Sequence, residues 1–156
     1  MAKVSMGVQA PEFRLPSTRG AVFSLFEQHG LSNLVLFFLD RASGGTDTLA
    51  ATAFRDACEF LATERTTVVG IGNASIEDLH AFQDSLGLPF DLLSDDGSVA
   101  AEYGVRVRWG FGPLSRERFR RSTFLLDRTG VIRRIFRDVD LNEHINEVLA
   151  SLDTDL

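Results

Sequence analysis

The 156-residue sequence contains a single cysteine, Cys58, and this scarcity excludes several classes of chemistry. One thiol cannot form an internal disulfide, a Cys-x-x-Cys redox pair or a cysteine zinc cluster. No apolar run approaches the roughly 20 residues that span a bilayer, and the N-terminus lacks a signal-peptide core. We therefore expect a cytoplasmic protein that does not enter the membrane, with Cys58 as the first candidate for redox chemistry.

Basic charge is also scarce, since 16 Lys and Arg residues stand against 22 Asp and Glu, for a net charge of −6. This balance argues against nucleic-acid binding through bulk charge. Six arginines nevertheless fall between Arg106 and Arg121, which predicts either an anion-facing surface or a solvated basic loop. The histidines His29, His80 and His144 lack the spacing of a metal site, so we expect no metal and no cofactor.

Two apolar runs indicate where the core lies. Leu34–Leu39 and Thr67–Gly72 are apolar at nearly every position, which is typical of buried strands in an α/β sheet. Between them, apolar residues recur at spacings of three and four, which predicts a helix with Thr46 or Asp47 as its N-cap. The length predicts one domain over residues 1–156.

The remaining patterns complete a mixed α/β order. Ser75 and Gly87 are suited to cap a second helix, and alternation on either side of a turn predicts hairpins over residues 7–26 and 122–136. A final helix is predicted over Leu141–Leu152, and Trp109–Pro113 is predicted to be an aromatic loop. Together these patterns predict a mixed sheet with helices on both faces.

Motifs distributed along the whole chain resemble those of a known family. They are Gly7–Pro16, Gly20, Ser24-Leu25, Phe54-Arg55-Asp56, Val69-Gly70-Ile71, Leu88–Asp95, Tyr103-Gly104-Val105, Arg121–Asp127 and Gly130-Val131-Ile132. In this order and spacing they resemble the peroxiredoxins, and specifically the bacterioferritin-comigratory or PrxQ type within the AhpC/TSA group. The resemblance implies a thioredoxin-like fold, an antioxidant oxidoreductase activity and a thiol reductant such as thioredoxin.

The resemblance also assigns the family's active-site positions. Counting back without a gap from Phe54-Arg55-Asp56, the family's Pro-x-x-x-Thr-x-x-Cys loop has its proline position at Asp40, its threonine at Gly44 and its peroxidatic cysteine at Asp47. The second cysteine of many PrxQ proteins falls on Thr52, and the family's arginine is retained as Arg121.

A carboxylate cannot perform the family's reaction. The peroxidatic thiolate attacks peroxide, becomes a sulfenic acid and is reduced again by a thiol. Asp47 has no such redox cycle, and Gly44 has no hydroxyl to hold the peroxide. The resemblance therefore implies a peroxiredoxin-like protein with a degenerate site, acting as a non-peroxidatic binding or interaction module.

Alternatives remain at three residues. Asp47 is either a substitute for the thiolate charge or a simple N-cap, and Arg121 either binds an anion or pairs with an acid such as Asp47. Cys58 is either a core residue or the nucleophile of a thiol-dependent peroxidase. A small-anion binder using Asp47, Gly44 and Arg121 is a further alternative. The resemblance allows a monomer or a homodimer.

Overall fold

The computed structural model describes residues 4–42, 44–137 and 141–155. The side chains of Trp109 and His144, which entered the predictions above, lie outside the described part. In chain order the elements are β1 (Arg14–Pro16), β2 (Val22–Ser24), α1 (Leu25–Gln28), β3 (Asn33–Phe38), α2 (Gly44–Thr63), β4 (Thr66–Gly72), α3 (Ile76–Leu86), β5 (Asp91–Ser94), α4 (Ser98–Glu102), β6 (Arg106–Trp109), β7 (Arg116–Phe119), β8 (Ser122–Leu126), β9 (Ile132–Arg137) and α5 (Leu141–Asp155).

A five-stranded mixed sheet in the order β5-β4-β3-β8-β9 forms the centre of the molecule. β3 pairs in parallel with β4 and antiparallel with β8, so the first apolar run becomes the middle strand. This confirms the prediction from its composition, because a central strand is buried on both faces. The hairpin of β8 and β9 is also confirmed.

Helices cover both faces of the sheet, as the sequence predicted. On one face, Phe37 belongs to an apolar cluster that includes Phe54 of α2 and Val148 of α5. On the other face, Leu25 of α1 and Tyr103, which follows α4, belong to a second cluster that also includes residues of the β1–β2 hairpin. The first of these clusters also includes Ala50 and Ala51, so it packs the first half of α2 against β3.

The caps of α3 show how local sequence sets an element's limits. The Ser75 hydroxyl accepts a hydrogen bond of 3.1 Å from the Asp78 amide, which satisfies one of the unpaired donors at the helix start. Gly87 ends the helix with φ +61°, a left-handed conformation that glycine adopts without strain. Both caps agree with the sequence prediction.

Two local predictions are wrong. α2 begins at Gly44, so neither Thr46 nor Asp47 is its N-cap; Asp47 lies inside the first turn. Residues 106–119 are not a solvated loop, because β6 and β7 form an antiparallel hairpin in which Arg106 faces Phe119. The segment predicted as an aromatic loop, Trp109–Pro113, runs from the last residue of β6 into the tip of that hairpin, where Phe111 is 90% exposed.

Candidate functional site

A cavity of about 550 Å³ lies between the first turn of α2 and the segment from β6 to β8. We call it the helix cavity. Its lining residues are Asp40, Gly44, Gly45, Thr46, Asp47, Val107, Arg108, Arg118, Phe119, Arg120 and Arg121. It therefore brings together Asp40, Gly44, Asp47 and Arg121, the positions that the resemblance identified, whereas Cys58 does not line it.

Asp47 is built into the floor of the site. Its side chain is buried, with a relative exposure of 3%, and its Oδ1 accepts a hydrogen bond of 3.1 Å from the backbone N–H of Asp40. A carboxylate in the first turn of a helix is stabilised by the partial positive charge of the unpaired N–H groups there. Asp47 thus joins the start of α2 to the chain that leaves β3.

Asp40 connects three parts of the site. Its backbone carbonyl accepts a hydrogen bond of 2.7 Å from the Asn73 amide, just beyond β4. Its Oδ1 accepts one of 3.2 Å from the Phe119 amide in β7, and its Oδ2 lies 3.8 Å from Nε of Arg118. Asp40 therefore ties the basic hairpin to the start of α2.

The connections of Asp40 were not predicted from the sequence, which identified this residue only as the family's proline position. A proline there would have no backbone N–H to donate to Asp47 and no carboxylate to receive the Phe119 amide. The available signal was a carboxylate placed directly after a buried strand. That signal gives no partner, because the hairpin is 79 residues away in sequence.

Arginines dominate the charged side chains of the site. Arg108, Arg118, Arg120 and Arg121 line the helix cavity. Arg121 is exposed, and no carboxylate within the described ranges lies at ion-pair distance from it. The alternative in which Arg121 pairs with Asp47 is therefore not observed in this structure.

A second cavity of about 480 Å³ adjoins the first on the side of the hairpin tip. We call it the hairpin cavity, and its lining residues are Asp40, Arg41, Gly110, Leu114, Arg116 and Arg118. Asp40 and Arg118 line both cavities, so their ion pair stands at the boundary. The charged lining thus extends beyond the positions that the resemblance identified.

Gly44 leaves open space on the helix cavity. A Cβ built on it would meet nothing within 4 Å, but its φ is +84°. β-branched residues rarely adopt this left-handed conformation, so a threonine at this position would strain the backbone. The first residue of α2 therefore has a backbone conformation that favours glycine.

Cys58 lies in a different environment on the same helix. It follows Asp47 by three turns, about 16 Å along the axis at 1.5 Å per residue. The thiol is half-buried and packs against the apolar cluster of α2, α3 and α5. Burial, and then the nearby Glu59 carboxylate, raise the pKa of Cys58, which reduces the population of the reactive thiolate.

The described part of the chain has no group of three His, Cys, Asp or Glu side chains able to hold a metal ion. None of the helices in that part is long and apolar enough to cross a bilayer. His29 and His80 are half-buried.

Comparisons with known proteins agree with this architecture. The model of the AhpC/TSA family matches residues 6–135. Peroxiredoxin Q of Sedum lineare, a chloroplast protein, is 35% identical over 157 residues, an alignment that covers 97% of this chain and 79% of the relative.

Solved structures of the same type superpose over nearly the whole chain. Peroxidoxin BcpB of Mycobacterium tuberculosis has a TM-score of 0.86 at 28% identity and covers 98% of this chain and 97% of its own. A cysteine-to-serine mutant of PrxQ from Xylella fastidiosa has a TM-score of 0.87 at 22% identity, with 98% of each chain covered. Family model, relatives and fold agree, and the chain belongs to the AhpC/TSA family, with PrxQ-type peroxiredoxins among its relatives.

Proposed function

We propose that this member of the peroxiredoxin family does not reduce peroxides at the family site and uses that site for binding. The observation that carries the proposal is the pair of environments on α2. A buried carboxylate, Asp47, lines the helix cavity beside Arg121, while the chain's one thiol lies three turns further along. The assignment of Asp47 to the cysteine position rests on the gap-free count from Phe54-Arg55-Asp56.

The chemistry follows from the side chain at that position. A peroxidatic sulfur gives two electrons to the peroxide O–O bond and is itself oxidised to a sulfenic acid. The carboxyl carbon of Asp47 has no electron pair to give, so no equivalent step exists. What the position retains is a fixed negative charge in the first turn of a helix.

Cys58 is the competing candidate for peroxidase activity with an external thiol reductant. Its raised pKa, its half-buried position and its absence from the helix cavity oppose this role. A low thiolate population slows attack on any electrophile. We therefore assign Cys58 to packing.

Small-anion binding is the second function that we propose for the helix cavity. It is favoured by Arg108 and Arg121, exposed guanidinium groups that have no ion-pair partner in the described ranges. Guanidinium groups bind phosphate and carboxylate through parallel hydrogen bonds, and an unpaired arginine gives up no existing ion pair on binding. The Asp47 carboxylate accepts a hydrogen bond from the Asp40 backbone N–H, which partly offsets its negative charge.

A peroxide-consumption assay tests the proposal. Hydrogen peroxide and an alkyl hydroperoxide are offered with dithiothreitol or thioredoxin as reductant, to the wild type and to Cys58→Ser. We expect neither protein to consume peroxide faster than the reductant alone. Turnover by the wild type that disappears in Cys58→Ser would overturn the proposal in favour of a peroxidase acting through Cys58. Circular dichroism of both proteins controls for folding.

A further inference from the structure

We infer that the site takes a small molecule with two anionic groups, phosphate or carboxylate, one in the helix cavity and one in the hairpin cavity. The inference rests on the proposed function, because it names the ligand of the same binding site. It differs from single-anion binding in requiring the hairpin cavity, which lies outside the positions that the family resemblance identified.

Charge is concentrated at the two cavities. Six arginines and two aspartates line them, a formal charge of +4, in a chain whose net charge is −6. The remainder of the molecule is therefore strongly acidic and repels anions. A cleft of one sign against such a background focuses the electrostatic field and concentrates ligands of the opposite charge.

The two acidic side chains of the site are already engaged. Asp47 is buried and accepts the Asp40 N–H, and the Asp40 carboxylate accepts the Phe119 N–H and faces Arg118. Neither carboxylate has to change its hydrogen-bond partners when an anion enters. Their negative charge is partly balanced by donors that remain in place.

Each cavity has arginines of its own. The helix cavity has Arg108, Arg120 and Arg121, while Arg41 and Arg116 belong to the hairpin cavity. No carboxylate of the described residues pairs with Arg41, Arg108, Arg116 or Arg121. The Asp40–Arg118 pair lies between the two groups, so the positive charge falls into two centres.

The volumes support a ligand larger than a single ion. Cavities of about 550 and 480 Å³ are each of the size that holds an organic ligand, and a lone phosphate would fill a small part of either. Val107 in the first cavity and Leu114 in the second are exposed apolar side chains that a carbon skeleton can contact. Once one anionic group is held, the second binds as an intramolecular event at high effective concentration.

Isothermal titration calorimetry at constant ionic strength tests this inference. Tripolyphosphate is compared with orthophosphate, and citrate with acetate, so that the phosphate and carboxylate sources are distinguished. We expect the longer probe of at least one pair to bind about tenfold or more tighter than its single-anion counterpart. Equal affinity within both pairs, or no binding of any probe, would overturn the inference.

Variants then assign the two centres. Arg41→Gln with Arg116→Gln is expected to weaken the longer probe much more than the single anion, which still binds in the helix cavity, whereas Arg121→Gln should weaken both. Arg128→Gln is the matched control, because this exposed arginine lies in the turn that follows β8, at the far end of that strand from Arg121. An equal loss in Arg128→Gln would show that net charge alone attracts the probes, and would contradict the inference.

The binding result is independent of the peroxide assay. Absence of both probe selectivity and peroxide turnover overturns the inference and leaves the proposed lack of peroxidase activity intact. Selective binding together with turnover that depends on Cys58 supports the two-centre site and contradicts the proposed lack of peroxidase activity.

Discussion

The first turn and the middle of α2 belong to one helix and differ in almost every property that controls reactivity. Asp47 in the first turn lines a cavity with four arginines and bonds to a backbone N–H. Cys58 in the middle packs against an apolar cluster, beside the carboxylate of Glu59. The field that would stabilise a thiolate is at the first turn, and the thiol is elsewhere.

Residue type alone therefore does not identify a reactive site. The unpaired N–H groups of a helix extend their influence over its first turn only. Three turns away that influence has gone, and burial acts in the opposite direction on the thiol pKa. A chain with one cysteine invites a redox assignment to that cysteine, and here its environment opposes that assignment.

The largest effect on the free energy of unfolding is expected from a substitution in the middle of α2, where the side chains only pack against the core. Phe54→Ala removes a buried ring whose centroid lies 4.8 Å from that of Phe37, so unfolding should become easier by about 3–5 kcal/mol. Denaturant unfolding at pH 7 measures this change in the free energy of unfolding. Cys58→Ser is the comparison, with an expected loss below about 1.5 kcal/mol because the thiol is only half-buried. Equal losses would show that Cys58 is as fully built into the core as Phe54.

Asp47→Ala is expected to destabilise the first turn by about 1–3 kcal/mol, since it leaves the Asp40 N–H without its acceptor and removes a favourable charge. Asp47→Asn keeps an acceptor oxygen and should lose less. Denaturant unfolding of the two variants separates the hydrogen bond from the charge. No loss in Asp47→Ala would mean that this buried carboxylate does not hold the loop before α2.

Asp40→Ala should release the β6–β7 hairpin. Loss of the hydrogen bond from the Phe119 N–H to the Asp40 carboxylate is expected to lower the free energy of unfolding by about 1–2 kcal/mol. Exchange of the Phe119 amide hydrogen should also become faster. Asp56→Ala is the control, because Asp56 is an exposed carboxylate paired with Arg55 at the surface and should cost about 0–1 kcal/mol. If Phe119 exchange is unaltered in Asp40→Ala, the hairpin is held by other contacts.

The smallest effect concerns the reactivity of Cys58. Because burial and Glu59 raise its pKa, alkylation near pH 8 should be a few-fold slower than for a free cysteine, with a midpoint above the ordinary value of about 8.5. A raised native pKa stabilises the folded protein below that value. The stability should then fall, relative to Cys58→Ser, as pH rises above it. Rapid labelling with a midpoint below 8.5 would contradict the assignment to packing.

The elements that the sequence predicted are those with a clear hydrophobic period or cap. Leu34–Leu39 and Thr67–Gly72 are apolar at nearly every position, and Ser75 and Gly87 mark the limits of α3. The β6–β7 hairpin was missed because its strands alternate arginine with mixed residues and bury only Phe119 among the described side chains of the two strands. The alternation in Arg106–Trp109 covers only four residues, and Arg116–Phe119 does not alternate in hydrophobicity, so the pattern was too short to predict a hairpin.

The sequence singled out four positions that lie together in the fold, and it gave none of the contacts between them. Counting along the sequence identified Asp40, Gly44, Asp47 and Arg121, and all four line one cavity. The links from Asp40 to Phe119 and Arg118 depend on the tertiary fold, which brings a distant hairpin against the end of β3. The sequence predicted a start of α2 at Thr46 or Asp47, whereas the helix begins at Gly44. The prediction was wrong because Gly44 and Gly45 are poor helix formers and gave no sign of a first turn.

The most direct test of the account exchanges the two environments. Peroxide consumption with excess dithiothreitol is measured for the wild type and for Asp47→Cys in a Cys58→Ser background, with Gly44 left unchanged to avoid strain at its φ of +84°. We predict that the moved thiol, in the first turn of α2 on the cavity that Arg121 also lines, consumes peroxide at least about tenfold faster than the wild type. An active wild type beside an inactive variant would contradict it.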